Sequence, residues 1–152
     1  MDTTATQHDV TALRRHRAEL LDSLRAVEQS LAAPAVGDVS VWAQRVSVAL
    51  IELEADFREH IQLTEGSDGL YRSLLEAAPR LSNVVRTLTA DHGRIRTAIG
   101  QLVETTGDPV VAADVARIRQ AGTTLLARMS RHRQRGADLV FEAYQTDIGG
   151  ET

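Results

Sequence analysis

Apolar residues recur at every third or fourth position in four long stretches of this chain. In the clearest stretch a histidine takes one place in the apolar series, which reads Leu81, Val85, Leu88, His92, Ile95, Ile99 and Leu102. This spacing places all seven side chains on one face of an α-helix. We therefore predict a helix over 80–104, with His92 on its inward face.

The other three stretches repeat this spacing and predict helices over 9–32, 40–65 and 110–144. A short apolar segment within 67–78, ended before Pro79, predicts a crossover helix between the second and third long helices. Four long helices and short connections predict an all-α protein: an up-down four-helix bundle with a short crossover helix between helices 2 and 3.

Turn-forming residues separate the predicted helices. Asp38 or Ser40 can cap the second helix, and Gly66 is a plausible end for it. Before the last helix, Asp108 is the expected N-cap, with Pro109 at the first helical position.

Length and composition narrow the class of protein. With 152 residues, we expect a single domain over 1–152 with its core at about 9–145. The chain has no cysteine, which excludes disulfides and thiolate metal sites. The first ten residues lack an apolar signal-peptide core, and no apolar run reaches the length of a membrane span. We expect a soluble cytoplasmic protein that does not bind membranes.

Charge and motif content argue against other classes of function. The net charge is −4, and the 17 basic residues are dispersed among 21 acidic ones, which gives no field that would attract nucleic acid. Phosphate-binding glycine loops and the Gly-x-Ser-x-Gly motif of hydrolases are absent. These exclusions leave two possibilities: a site in the bundle core, or no site.

Four histidines occupy inward positions, one on each predicted long helix: His16, His60, His92 and His132. A single buried histidine is more often a hydrogen-bonded core residue than a ligand, but four on four helices favour a shared metal site. A tight turn at Thr105 would misplace His92 and His132 by about ten residues, or roughly 15 Å. The two can meet only if the stretch after Pro109 is partly loop.

These features resemble the hemerythrin-like, or HHE cation-binding, domain. The resemblance spans about Val10 to Tyr144 and rests on four contexts: Leu13-Arg14-Arg15-His16, Phe57-Arg58-Glu59-His60, Asp91-His92 and Arg131-His132. It implies a bundle whose core holds two non-haem irons through histidines and two bridging carboxylates. Such a site binds dioxygen, nitric oxide or peroxide.

The carboxylates depart from the pattern of that family. The family usually carries an acid four residues after the second-helix histidine, whereas here Thr64 takes that place and Glu65 follows. On the last helix the acid usually comes four or five residues after the histidine, whereas Asp138 comes six after His132. On a regular helix the two acids would point about 140° and 240° away from their histidines. We expect a π-type or unwound turn to bring each onto the inner face, with solvated acids as the alternative.

The set of nitrogen ligands is also incomplete. The places where the family has a second histidine on the third helix hold Leu88 and Arg96. This implies one or two iron ions, with manganese or zinc as possible substitutes. Asp56 and Glu142 are alternative carboxylates, and Asp56 is equally suited to pair with Arg17 or Arg96.

The resemblance leads to one functional hypothesis and one alternative. The first is a hemerythrin-like non-haem iron protein that binds or processes a small diatomic or peroxide ligand; its expected metal ligands are His16, His60, Glu65, His92, His132 and Asp138. The alternative is a metal-free degenerate bundle that acts as a binding or protein-interaction module. The sequence selects neither turnover over reversible binding nor an oligomeric state.

Overall fold

The computed structural model describes the backbone of residues 3–149 and the side chains of residues 11–144. This part of the chain forms four long α-helices, one short α-helix and two 3₁₀ turns, and it contains no β-strand. The helices are α1 (Thr3–Ala32), α2 (Val39–Glu65), α3 (Leu70–Ala77), α4 (Ser82–Gly107) and α5 (Val115–Gly149). The prediction of an all-α four-helix bundle with a crossover helix is confirmed.

The ends of α2 and α3 follow the predicted turn signals. The Asp38 carboxylate accepts a hydrogen bond from the Val41 N–H at 3.1 Å and caps the start of α2. At the other end, the Gly66 N–H donates to the Gln62 carbonyl at 3.0 Å. The short helix α3 stops two residues before Pro79, which opens a 3₁₀ turn.

The start of α5 differs from the prediction. Asp108 is not an N-cap; its N–H donates to the Glu104 carbonyl at 3.2 Å, so it ends α4 instead. Residues 109–111 are non-helical, and the 3₁₀ turn Ala112–Asp114 precedes α5. The physical reason is a later cap: the Asp114 carboxylate accepts from the Val111 N–H at 3.0 Å, while Val110 packs against the core.

This late start brings two histidines to the same height. His92 lies 107 − 92 = 15 residues before the end of α4, and His132 lies 132 − 115 = 17 residues after the start of α5. The loop after Pro109 therefore removes the mismatch that a tight turn would have produced. The outer ends also differ from the prediction, because α1 already begins at Thr3 and α5 continues to Gly149.

The long helices form a ring in which α1 and α4 each pack against both α2 and α5. The larger apolar cluster fills one end of the bundle, and a smaller one lies beneath α3 at the other. On α4, His92 follows Leu88 of the smaller cluster and precedes Ile95 of the larger one. A layer of polar side chains thus separates the two apolar clusters.

Arg119 stabilises the end of the bundle that lies opposite α3. Its guanidinium donates to the carbonyls of Leu31 at 2.9 Å and Ala33 at 2.8 Å, and it lies over the Trp42 ring at 5.4 Å. These bonds satisfy carbonyl groups that the end of α1 leaves without helical partners. Between residues 3 and 149, no helix has the length and apolarity needed to cross a membrane.

Candidate metal centre

Three histidines from three helices meet in the polar layer. His60 of α2, His92 of α4 and His132 of α5 each offer a ring nitrogen, and these nitrogens all lie within 4.8 Å of one another. His92 is 1 % exposed and His132 is 4 % exposed. The Nε2 atoms of these two rings face each other at 3.0 Å.

Two aromatic rings hold this group in place. Phe57, one turn before His60, contacts all three imidazoles with centroid separations of 5.5 to 6.4 Å. Tyr71 of α3 stacks on His92 at 5.8 Å, and its hydroxyl lies 3.4 Å from His92 Nε2. The crossover helix therefore closes the site with an aromatic ring and one polar atom.

Carboxylates stand behind two of the imidazoles. Glu65 Oε2 lies 2.8 Å from Nδ1 of His92. Asp91 Oδ2 lies 3.6 Å from Nδ1 of His132, just beyond hydrogen-bonding distance, and Arg135 holds the same oxygen at 3.2 Å. Carboxylates behind metal-bound histidines commonly orient the ring and fix which nitrogen carries the proton.

The Glu65 carboxylate determines what the facing nitrogen of His92 can do. A carboxylate accepts but does not donate, so Glu65 holds the proton of His92 on Nδ1 and leaves a lone pair on its Nε2. The Nδ1 of His132 is buried without a hydrogen-bond partner, so no contact fixes which of its nitrogens carries the proton. With that proton on Nε2 the 3.0 Å contact is a hydrogen bond, and with it on Nδ1 two lone pairs face each other and suit a shared metal cation.

Burial keeps the three imidazoles neutral. Loss of hydration, followed by the proximity of the other imidazoles, lowers the pKa of His60 to about 3. The same loss of hydration, with His92 next to it, lowers the pKa of His132 to about 4. Burial also lowers the pKa of His92, against the opposing effect of Glu65. At neutral pH all three rings therefore have a lone pair available for a metal.

A cavity of about 240 Å³ leads from the surface to this group. His16, His60 and His132 line it, together with apolar side chains from α1, α2, α3 and α5. Arg17 and Arg133 also line it and are solvent-exposed. A molecule of a few heavy atoms could reach the imidazoles by this route.

The family model described as the hemerythrin HHE cation binding domain matches residues 8–144. The chain belongs to this family. No curated protein and no solved structure matches it. Membership of the HHE family and the convergence of the three histidines agree on a cation-binding bundle core.

The fourth inward histidine of this HHE domain lies beside the group of three. His16 of α1 stacks on His60 with ring centroids 5.5 Å apart. Its two ring nitrogens are buried and have no hydrogen-bond partner. Its Nδ1 lies 3.8 Å from Glu59 Oε2, on the side toward α2.

The predicted irregular turns are absent, and this changes the place of both late acids. Helix α5 is regular from His132 to Asp138, so Asp138 is exposed and accepts a hydrogen bond from Gln134 at 3.0 Å. The expectation that Asp138 turns inward is wrong, because six residues of regular helix rotate it to the outer face. Gly136 leaves the helix unbroken.

Glu65 joins the site by another route than the one predicted. Helix α2 is also regular to its last residue, and it packs against α4, where its His60 meets His92. From there the Glu65 side chain reaches His92 Nδ1. Glu65 therefore lies behind the imidazole of His92 on the neighbouring helix α4, and not beside His60 on its own helix.

The alternative carboxylates lie elsewhere. Asp56 accepts a hydrogen bond from the Ser23 hydroxyl, and it forms no ion pair with Arg17 or Arg96. Glu142 is exposed, and its backbone carbonyl accepts from Arg80 at 3.4 Å. Neither acid belongs to the group of ligand atoms that the three central imidazoles form.

Sequence reasoning missed two residues of the site. In the sequence, Tyr71 is one member of the apolar segment that predicts the crossover helix, and its contact with His92 depends on how that helix packs. Asp91 stands out in the sequence only as the neighbour of His92, yet it is 8 % exposed and faces His132 on α5. An acidic residue next to an inward histidine was a usable signal for the second case.

Proposed function

We propose that this HHE domain is a non-haem iron protein that binds or processes dioxygen, peroxide or nitric oxide in the bundle core. The metal ligands in this proposal are His60, His92 and His132. The supporting observation is the pair of Nε2 atoms of His92 and His132, which face each other at 3.0 Å with carboxylates behind both rings.

The residues fit a metal ion in three respects. Two ligand nitrogens at right angles, each about 2.1 Å from an ion, are about 3.0 Å apart. Imidazole nitrogen suits iron, and also zinc or manganese. The buried Nε2 of His60 has no hydrogen-bond partner, which costs about 1–3 kcal/mol unless a ligand satisfies it.

The number of nitrogens favours a single ion in this group. Leu88 is fully buried among apolar residues and Arg96 is exposed. Neither of the two positions where the family has a second histidine on this helix therefore supplies a nitrogen ligand. Asp138 is likewise turned away. Among residues 11–144, His16 is the one histidine left for a second ion in the core, and such an ion would lack the second carboxylate that the family pattern implies.

When bound, iron would supply an open coordination position for a small ligand. The protein's own side chains would shape that position. Glu65 accepts a hydrogen bond from His92 Nδ1 and orients that ring, Asp91 lies 3.6 Å from His132 Nδ1, and the Tyr71 hydroxyl can donate a hydrogen bond to a ligand. Burial raises the pKa of Tyr71 above its usual range, so this hydroxyl keeps its proton at neutral pH.

Metal content after iron-supplemented expression tests the proposal. We expect about one iron per chain, and we expect His92→Ala to lose most of it, because removal of one of three nitrogens leaves a weakly held ion. Ile95→Val, one turn further along α4, is a matched control that disturbs the same part of the core and should keep the metal.

Addition of nitric oxide or peroxide to the iron-loaded protein, followed by absorbance, then tests ligand binding. Less than about 0.1 iron, manganese or zinc per chain in the unsubstituted protein would contradict the proposal, since a site of this kind binds metal in its folded state. That result would favour the alternative of a metal-free binding or protein-interaction module.

A further inference from the structure

A second group of potential metal ligands lies between α1 and α2, outside the central three histidines. It consists of His16 and Glu19 of α1 and Glu59 of α2. One ligand atom from each of these residues lies within 4.8 Å of the other two. His16 and Glu19 are three residues apart, which places both on the same face of α1.

His16 is the observation that distinguishes this group from ordinary surface acids. Its side chain is 4 % exposed, and both ring nitrogens are buried without a hydrogen-bond partner. Nδ1 lies 3.8 Å from Glu59 Oε2, too far for a hydrogen bond, although the two atoms face each other. Buried polar atoms in folded proteins nearly always have a partner, so this imidazole needs one.

The two glutamates are not neutralised by arginine. Among residues 11–144, no arginine lies within ion-pair distance of either carboxylate, and Arg58, next to Glu59 in the chain, pairs with Glu54 at 3.8 Å instead. The Glu59 side chain is 55 % exposed, and Glu19 is exposed as well. The group therefore combines two unneutralised negative charges with one available imidazole.

We propose that His16, Glu19 and Glu59 form a second, peripheral binding site for a borderline divalent cation such as Zn²⁺. One imidazole and two carboxylates are donors that Zn²⁺ accepts at short distances, and water can complete the coordination at the exposed side. Because the carboxylates are exposed, the ion exchanges more readily here than in the buried core. This site shares no ligand with the central three histidines, so it does not depend on the proposed iron site.

Titration of metal-stripped protein with Zn²⁺, followed by calorimetry, tests the site. The variant Glu19→Gln/Glu59→Gln removes both carboxylates at exposed positions and should fold normally. We expect it to weaken the peripheral binding step at least about tenfold, since each lost ligand removes a strong contact to the ion. The control Glu28→Gln/Glu52→Gln removes the same charge from exposed positions of the same two helices and should bind Zn²⁺ as the unsubstituted protein does.

A second measurement assigns the step to His16. The imidazole NMR signals of His16 should shift as Zn²⁺ fills the peripheral site, and they should not shift over that range in Glu19→Gln/Glu59→Gln. The variant His92→Ala should lose Zn²⁺ binding at the central histidines and keep Zn²⁺ binding at the peripheral site. This variant therefore separates failure of the iron proposal from failure of the peripheral-site proposal. Zn²⁺ binding that is the same in Glu19→Gln/Glu59→Gln as in the unsubstituted protein would overturn the peripheral site.

Discussion

The central imidazoles combine burial with mutual proximity, and both effects oppose protonation. His60 shows this most clearly, because it lies beside three other histidines and near Arg17. A ring in these surroundings gains a proton only at a cost that the unfolded chain does not have. The neutral state that suits metal binding is thus built into the positions of these residues.

The stability of metal-stripped protein should therefore depend on pH. The folded-state pKa values of His60 and His132 are about 3 and about 4, below the usual 6.5, so the unfolded chain binds more protons as the pH falls. The contribution of these neutral histidines to the free energy of unfolding is fully present above pH 6.5. It decreases below that pH, by up to about 1.4 kcal/mol per pH unit for each such histidine. Urea unfolding at pH 5 and pH 7.5 measures the difference.

A variant without the central titrating group is the control for this pH effect. His60→Phe keeps a ring against Phe57 but cannot be protonated, so its stability should change less between pH 5 and pH 7.5. Equal stability of the unsubstituted protein at both pH values would show that these imidazoles are not buried in the folded state.

The Tyr71 hydroxyl should affect the bound ligand more than the metal. Tyr71→Phe keeps the ring that stacks on His92 and removes only the group 3.4 Å from its Nε2. Loss of one hydrogen bond costs about 1 kcal/mol, so we expect nitric oxide to bind about fivefold more weakly at unchanged iron content. Dissociation rates of the nitric oxide adduct measure this effect. Identical rates in both proteins would show that the Tyr71 hydroxyl does not hydrogen-bond to the bound ligand.

At the scale of helices, the connections position the site as much as the histidines do. The non-helical stretch after Asp108 brings His132 level with His92, and the turn between α2 and α3 places Tyr71 over the imidazoles. In that turn, Gly69 lies against the carbonyl oxygens of Thr64 and Gly66. A side chain at Gly69 would force the backbone of the turn to shift.

Gly69→Ala should therefore destabilise the protein by about 1–3 kcal/mol, as expected when an added methyl group meets fixed backbone atoms. Gly93→Ala is the matched control: Gly93 lies within α4, and no atom lies within 4 Å of an added Cβ. That substitution should stabilise the helix by about 0.5–1 kcal/mol. Chemical denaturation of both variants measures the contrast, and a neutral or stabilising Gly69→Ala would show that the turn is free to adjust.

Helix periodicity was sufficient to predict the elements, because a buried stripe repeats over many turns. The stripe of α4 gave both the helix and the inward direction of His92. It could not give the start of α5, which depends on one local contact between Asp114 and the Val111 N–H. It also could not give the partner of Glu65, because that carboxylate contacts a histidine on another helix, and spacing within one helix carries no information about its neighbour.

At the scale of the whole molecule, the polar layer interrupts the apolar core. The larger and smaller clusters are each continuous, but between them the core contains imidazoles and carboxylates. Burying such groups weakens a core unless they are paired. A metal ion that satisfies the buried nitrogens would join α2, α4 and α5 across this layer.

The last prediction follows from this coupling between metal and fold. An ion that binds only the folded chain stabilises it by about 2.7 kcal/mol when the free metal concentration is one hundred times the dissociation constant. We expect unfolding in the presence of Fe²⁺, without oxygen, to require correspondingly more denaturant than unfolding with a chelator. His92→Ala should lose most of this difference, whereas Glu19→Gln/Glu59→Gln should keep it, because its substitutions leave all three central histidines in place. If Fe²⁺ stabilises the unsubstituted protein and His92→Ala equally, the ion is not held between α2, α4 and α5, and the unpaired nitrogens of the core must be satisfied in another way.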